Sequence, residues 1–142
     1  MNTKNNFMLR AIELSMNSAN NDGGPFGCVI TKENEIIAEG SNKVTLSNDP
    51  TAHAEVVAIR EACKKLNTFN LTGCDLYTSC EPCPMCLAAI YWSHIDNIFY
   101  AIKDAVASVG KYKVTPKLDA PATPEKILMS LKELKSRIRY SN

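Results

Sequence analysis

Two short segments of the chain combine the residue types that bind transition metals. Residues 51–55 (TAHAE) supply an imidazole, His53, and a carboxylate, Glu55. Residues 79–86 (SCEPCPMC) supply Cys83 and Cys86 at C-x-x-C spacing. One imidazole and two thiolates suit Zn²⁺, and three protein ligands leave a fourth tetrahedral position for water. The two segments together predict a catalytic zinc site, with Zn²⁺ as the cofactor.

Glu55 adds the second requirement of a hydrolytic site. Bound zinc lowers the pKa of water from about 15.7 to roughly 7, so hydroxide becomes available at neutral pH. Attack on an amidine carbon also needs a group that takes the water proton, passes it to the ring nitrogen and protonates the departing ammonia. Because Glu55 is not needed as a ligand, we expect it to carry these protons.

The spacing of the cysteines predicts that they begin a helix. Cys83 and Cys86 lie three residues apart, which places them on one helical face. Pro82 or Pro84 fits the start of such a helix. At a helix N-terminus, the dipole and the unpaired N–H groups favour thiolate over thiol.

His53 and Glu55 need a different local geometry. Two residues apart, they would point about 200° apart on a regular helix of 3.6 residues per turn. They reach one metal only if His53 lies at the irregular entrance of its helix. Residues 48–51 (NDPT) are cap-type residues with one proline, which predicts such an entrance.

Other interpretations of the cysteines remain open at this point. A lone C-x-x-C pair also occurs in redox pairs and structural zinc knuckles. Cys80 extends the pair to C-x-x-C-x-x-C, the opening of a bacterial ferredoxin cluster motif, but the next cysteine of that motif would fall at Ile90. Cys80 as a fourth ligand would close the zinc site. The conjunction with His53 and Glu55 favours the open site.

Length and composition indicate one globular domain over residues 1–142. No apolar run is long enough to span a membrane, and residues 1–6 lack the apolar core of a signal peptide, so we expect a cytoplasmic protein without membrane contact. The four cysteines outside the predicted site are then expected to be reduced and mostly buried. They are Cys28, Cys63, Cys74 and Cys80.

Periodicity predicts alternating helices and strands. Helices are expected at about 4–18, at about 51–66 and from the cysteines to about Trp92. The residues of the second helix expected to face inward are Val56, Val57, Ile59, Ala62 and Cys63. The third helix is apolar nearly all round and is therefore expected to be buried. Strands are expected at 25–30, 35–40, 74–78 and 97–102, the first two as a hairpin around 32–34. This order predicts an α/β sandwich with parallel strands after the hairpin.

The last forty residues carry an excess of positive charge. Residues 103–142 hold 9 of the 16 basic and 4 of the 15 acidic residues. Such a segment is either a solvated helical face or a nucleic-acid contact. We expect a short fifth strand at 112–114 and an amphipathic helix at about 124–139, capped by Thr123, which docks on the sheet or on a second subunit.

Three stretches resemble a known family: residues 22–27 (DGGPFG), 48–56 (NDPTAHAEV) and 77–92 (YTSCEPCPMCLAAIYW). They are similar to bacterial guanine deaminases of the cytidine deaminase superfamily, whose H-x-E and P-C-x-x-C elements hold zinc and a proton-carrying Glu. The resemblance covers about 5–101. It implies a three-layer α/β/α sandwich with a mixed sheet of about five strands, and zinc bound by His53, Cys83 and Cys86.

The resemblance also implies a purine site. Asn42 and the Ala54 N–H would hydrogen-bond the base, and Phe26 and Trp92 would flank it. From the residues alone, Asn42 could equally be a turn residue, and the two aromatic residues could simply pack in the core. The acidic pair and the terminal aromatic residue of the family have only poorly aligned counterparts, Asp104 and Tyr140.

These observations lead to a hypothesis about function. We expect hydrolysis of a free aminopurine, guanine first, to xanthine and ammonia, by a protein that is a homodimer as in much of the family. The alternatives are a tRNA adenosine deaminase, which the basic end of the chain would suit, and a deaminase of guanosine, cytosine or a related base. A non-catalytic zinc module is the alternative from another class.

Overall fold

The structure is a computed structural model, and it describes residues 3–101. Its elements are α1 (Thr3–Ala19), β1 (Gly24–Lys32), β2 (Glu35–Asn42), α2 (Val44–Ser47), α3 (Ala54–Leu66), β3 (Cys74–Thr78), α4 (Pro84–Trp92) and β4 (Asn97–Tyr100). The predicted elements agree within a few residues, except that α2 falls in a segment expected to be a loop. The expected strand at 112–114, the helix at about 124–139, Asp104 and Tyr140 lie outside the described residues.

The sheet is mixed, as the sequence predicts. Its strand order is β2-β1-β3-β4. β1 pairs antiparallel with both β2 and β3, whereas β3 and β4 are parallel. Within residues 3–101 the sheet has four strands, one fewer than the five expected. The parallel pair is joined through α4, so the ends of both strands lie on the same edge of the sheet.

The β1–β2 hairpin closes with a tight two-residue turn. Lys32 pairs with Glu35, and the two residues between them, Glu33 and Asn34, have φ of 52° and 63°. Two successive left-handed residues are typical of a type I′ turn, whose twist matches that of the flanking strands. The predicted hairpin is therefore confirmed.

Helices cover both faces of the sheet. On one face, Phe7 and Ala11 of α1 pack with Val29 and Tyr77. On the other face, alanines of α3 pack with strand residues and with Ile90 of α4. The side chains of β3 alternate accordingly, since Tyr77 faces α1 and its neighbour Leu76 faces α3. The expected three-layer α/β/α arrangement is confirmed.

The inward stripe of α3 differs in part from the predicted one. Val56 and Val57 are only half-buried, whereas the prediction for Ala62 is confirmed, and Ala58, which was not predicted to face inward, is also fully buried. The reason is the close approach of the helix to β2. A Cβ on Gly40 would lie 2.2 Å from the Ala54 carbonyl oxygen, so the two elements meet where neither has a bulky side chain.

The prediction that α4 is buried all round is wrong for the described part of the chain. Cys86 and Ile90 are buried, but the opposite side of the helix is exposed. The large apolar residues exposed on α4 are Met85 (36%), Leu87 (51%), Tyr91 (75%) and Trp92 (74%). An apolar sequence on every side of the helix therefore does not mean that every side is buried. Among residues 3–101, no helix has the length and hydropathy needed to cross a bilayer.

We expect Gly40→Ala to destabilise the fold and to displace the start of α3. The new methyl group would clash with the backbone of the helix, which cannot move aside as a flexible side chain can. Overpacking of this kind costs about 1–3 kcal/mol of unfolding free energy. Urea unfolding measures the loss, with Ser41→Ala as the control, because that change adds no atom at the neighbouring position. Equal midpoints for Gly40→Ala and the unmodified protein would contradict the close approach.

Candidate active site

His53 is the N-cap residue of α3. Its φ of −67° and ψ of 155° are extended rather than helical, as expected for a residue at the entrance of a helix. The preceding turn is held by a hydrogen bond from the His53 N–H to the Thr51 carbonyl oxygen at 2.8 Å. The helix begins at Ala54, three residues later than predicted. This non-helical position lets the imidazole turn away from the direction it would have on a regular helix.

Cys83 holds the equivalent position on α4. It is the N-cap residue, with φ −69° and ψ 167°, and Pro84 occupies the first helical turn. Proline suits this turn because the N–H it lacks would have no partner within the helix. Cys86 follows three residues later and is buried. The two candidate ligand segments therefore have the same local design, with a metal-binding side chain at each helix entrance.

The three candidate ligands converge. The Nδ1 atom of His53 lies 3.6 Å from the Cys83 sulfur and 3.5 Å from the Cys86 sulfur. All three ligand atoms lie within 4.8 Å of one another. Tetrahedral zinc with Zn–S of about 2.3 Å and Zn–N of about 2.0–2.1 Å requires N···S separations of about 3.6 Å. The two N···S separations therefore match those of a zinc site.

The cluster offers three ligands and not four. In the described part of the chain, neither Cys80 nor Glu55 belongs to the metal-binding group. All six cysteines are free thiols, so no disulfide competes for the pair. A tetrahedral ion held by three side chains keeps one position open, which is the arrangement of catalytic rather than structural zinc sites.

The Cys86 thiol resists deprotonation on its own. Burial raises the pKa of Cys86 well above its usual range, and the negative charge of Glu55 raises it further. Burial also raises the pKa of Cys80, to about 12. Burial therefore acts against the effect expected from the helix N-terminus and favours the protonated thiol of Cys86. A bound divalent cation reverses this preference by holding the thiolate directly.

Glu55 is a buried carboxylate beside the cluster. Its side chain is 4% exposed. Its Oε2 atom lies 3.4 Å from the Cys86 sulfur, and its Oε1 atom accepts a hydrogen bond of 3.2 Å from the Thr78 hydroxyl. Sequence reasoning did not single out Thr78. The alternation of side chains along β3 could have indicated it, because Cys74, Leu76 and Thr78 share the face of the strand that α3 covers.

Asn42 lies at the end of β2 and is 8% exposed. Its Oδ1 atom accepts a hydrogen bond of 3.2 Å from the Val44 N–H. This bond fixes the orientation of the amide and leaves the Nδ2 group as the donor that a base could use. A Cβ on Gly24 would lie 2.8 Å from the Asn42 side chain, so glycine is needed opposite it. Ala54, the first residue of α3, is fully buried.

The two aromatic candidates lie in different surroundings. Phe26 is half-buried and packs against the core between the sheet and α3. Trp92 ends α4, about 13 Å along the helix axis from Cys83 at 1.5 Å per residue, and is 74% exposed. Their proposed contacts with a base stay predictions, as do those of Asn42 and Ala54.

The chain matches known proteins over most of its length. Residues 1–102 match the model described as cytidine and deoxycytidylate deaminase zinc-binding region. The chain belongs to this family. Its zinc-binding region includes the segments that carry the three clustered side chains, so zinc is the cofactor that both the family and the geometry of the donors indicate.

Three relatives show how far the similarity extends. Guanine deaminase from Bacillus subtilis is 52% identical over 120 residues, which cover 82% of this chain and 77% of the relative. A solved structure of guanine deaminase from the same organism has a TM-score of 0.68 and 45% identity, covering 93% of each chain. A tRNA-specific adenosine deaminase from Aquifex aeolicus is 49% identical over 80 residues, 56% of this chain and 53% of that protein.

We expect Cys83→Ala to lose bound zinc, since two remaining ligands hold the ion far less tightly than three. Glu55→Ala should keep one zinc per chain, because the carboxylate is outside the metal-binding group. Inductively coupled plasma mass spectrometry of dialysed protein measures the metal content. Cys63→Ala is the matched control, since Cys63 is a free thiol away from the cluster. Loss of zinc in Cys80→Ala instead of Cys83→Ala would show that a different thiol binds the ion.

Proposed function

We propose that this protein is a zinc-dependent deaminase that hydrolyses guanine to xanthine and ammonia. The observation that supports the reaction class is the buried Glu55 carboxylate beside a three-ligand cluster with one open position. The substrate is supported by the 52% identity with guanine deaminase from Bacillus subtilis. We propose the residue roles below on the same basis.

The chemistry needs a nucleophile and a proton carrier. When bound, zinc lowers the pKa of its water to about 7 and so supplies the nucleophile. Glu55 accepts the proton of this water as the new C2–O bond forms and delivers it to ring N3. It next moves a proton from the added hydroxyl to the amino nitrogen, the C2–N bond breaks, and ammonia leaves. One water is consumed for each ammonia released.

The surroundings of Glu55 suit repeated proton transfer. The carboxylate is nearly excluded from bulk water, so protons pass between it and the substrate and are not exchanged with solvent at each step. His53 and Cys83 reach the cluster from two helix entrances. The N–H groups at such entrances lack partners within the helix, and the Ala54 N–H is the one we assign to orienting the purine.

Substrate choice depends on contacts with the base rather than on the zinc cluster. We assign the Nδ2 group of Asn42 to donate a hydrogen bond to an acceptor of the base, since its Oδ1 already accepts from Val44. Phe26 and Trp92 are assigned to flank the ring. These three substrate contacts, together with that of Ala54, distinguish a purine pocket from a bare zinc hydrolase site.

We expect purified zinc-loaded protein to release ammonia from guanine faster than from guanosine, adenine or cytosine. A coupled ammonia assay compares the four substrates, and absorbance spectra identify xanthine as the product. Glu55→Ala should lower kcat by at least about 10²-fold, as expected for removal of a general acid–base group, and serves as the blank. Activity on cytosine alone would overturn the purine assignment. No ammonia from any base would favour a non-catalytic zinc module.

A tRNA adenosine deaminase is the second candidate. The observation in its favour is the 49% identity over 80 residues with the tRNA-specific enzyme of Aquifex aeolicus. The basic balance of residues 103–142 fits a phosphate backbone. This candidate requires inosine formation in tRNA and binding that weakens steeply with salt, whereas the guanine proposal requires neither.

We also propose that the protein acts in purine metabolism in the cytoplasm as a homodimer. The dimer is supported by α4, which exposes Met85, Leu87, Tyr91 and Trp92 along one side. Apolar side chains in a continuous patch of this kind mark an interaction surface more often than a solvated one. A second copy of the chain is the partner that the commonest oligomer symmetry supplies.

We expect Leu87→Glu to convert the dimer to a monomer, because a charge would be buried at the centre of an apolar contact. Sedimentation equilibrium measures the mass in solution. The control is Leu9→Glu, which adds the same charge at an exposed leucine of α1, on the opposite face of the sheet from α4. Retention of the dimer by Leu87→Glu, or its loss in both variants, would count against α4 as the interface.

A further inference from the structure

Thr78 carries a buried hydroxyl group that is not needed to fill the core. It is the last residue of β3, and its side chain is fully buried. Valine has nearly the same shape and would fill the site without the cost of burying a hydroxyl. The position therefore points to a use for the hydroxyl itself.

The strand alternation directs this hydroxyl toward Glu55. Thr78 pairs with Cys28 of β1 and with Tyr100 of β4, which fixes its place in the middle of the sheet. Two and four residues earlier, Leu76 and Cys74 belong to the core under α3. By the same period, Thr78 faces the first turn of α3, where Glu55 lies.

The hydroxyl has one proton and two acceptors within reach. Its Oγ1 atom lies 3.2 Å from Glu55 Oε1 and 3.5 Å from the Gly27 carbonyl oxygen. The Gly27 carbonyl already accepts a hydrogen bond of 2.9 Å from the Ser79 N–H. A hydrogen bond to an ionised carboxylate is shorter and stronger than one to a neutral carbonyl. The proton of Thr78 is therefore donated to Glu55.

The two oxygens of Glu55 consequently differ. Oε1 is held by Thr78, whereas Oε2 lies 3.4 Å from the sulfur of Cys86. Once Cys86 ligates a metal it is a thiolate and has no proton to donate. In the metal-loaded site, the hydroxyl of Thr78 is then the side-chain donor that fixes the carboxylate, among the residues described.

We propose that Thr78 is a positioning residue for the proton-carrying carboxylate. Its hydroxyl anchors Oε1, so that Oε2 faces the metal cluster and the reacting base. The inference rests on the proposed deaminase function for its kinetic consequence, but the Thr78–Glu55 contact itself does not. Misorientation of a group that transfers protons lowers kcat, because the geometry of the transfer is lost, while substrate contacts made elsewhere are unchanged.

Thr78→Val and Thr78→Ser separate the hydroxyl from the shape of the side chain. Valine keeps the shape and removes the donor, whereas serine keeps the donor. Thr78→Val should lower kcat for the best substrate of the base panel by about 10- to 100-fold, the equivalent of a hydrogen bond to a charged group. KM should change by less than about threefold. Thr78→Ser should stay within about threefold of the unmodified kcat.

Two readouts exclude a merely structural effect. Thr78→Val should keep one zinc per chain, and in a Glu55→Ala background it should not lower the residual rate further. Wild-type kcat in Thr78→Val, equal damage in Thr78→Ser, or a loss that appears in KM alone would overturn the positioning role. Loss of zinc in Thr78→Val would do the same, since the residue would then support the metal site.

A double-mutant cycle of unfolding stability tests the contact without an activity assay. Urea unfolding of zinc-loaded Thr78→Val, Glu55→Ala and the double variant should give non-additive midpoint shifts, because either single change removes the hydrogen bond that the two side chains share. Additive shifts would contradict the contact. If the unmodified protein released no ammonia from any base, the proposed function would fail, and the cycle alone would decide whether Thr78 holds Glu55.

Discussion

The candidate site depends on one constraint: α3 and α4 begin close together, so that the side chains of their N-cap residues can meet. His53 and Cys83 are both N-cap residues with extended backbone, and each reaches toward the other from the end of its helix. A cap residue is free of helical φ and ψ, so its side chain can point where no helical residue could. Cys86 completes the group from the first turn of α4. A shift of either helix along its axis would separate the imidazole from the sulfurs.

The sheet sets where these helices begin. β3 ends at Thr78, and the chain then needs only five residues to reach the cap of α4. On the neighbouring side, Gly40 lets α3 approach β2 so closely that only alanines fit between them. Glu55 lies in the first turn of the same helix, beside the cluster. The packing of α3 on the sheet therefore also fixes the position of the carboxylate.

Reaction class and substrate are carried by different parts of the molecule. The candidate zinc ligands and the buried carboxylate lie within residues 1–102, which match the family model, and relatives of the chain are named both as guanine deaminase and as tRNA-specific adenosine deaminase. In zinc deaminases generally, substrate choice depends on pocket shape and on contacts with the base rather than on the metal ligands.

The sequence by itself determined the residues of the metal group, the carboxylate expected to carry protons and the order of helices and strands, because these follow from residue type and local periodicity. It even indicated the irregular entrance at His53. Only the tertiary structure decided which side chains are buried and which atoms meet. Periodicity could not show that α3 packs through alanines, that α4 is exposed on one side, or that Thr78 touches Glu55. Those facts depend on distances between elements far apart in the chain, which local pattern does not encode.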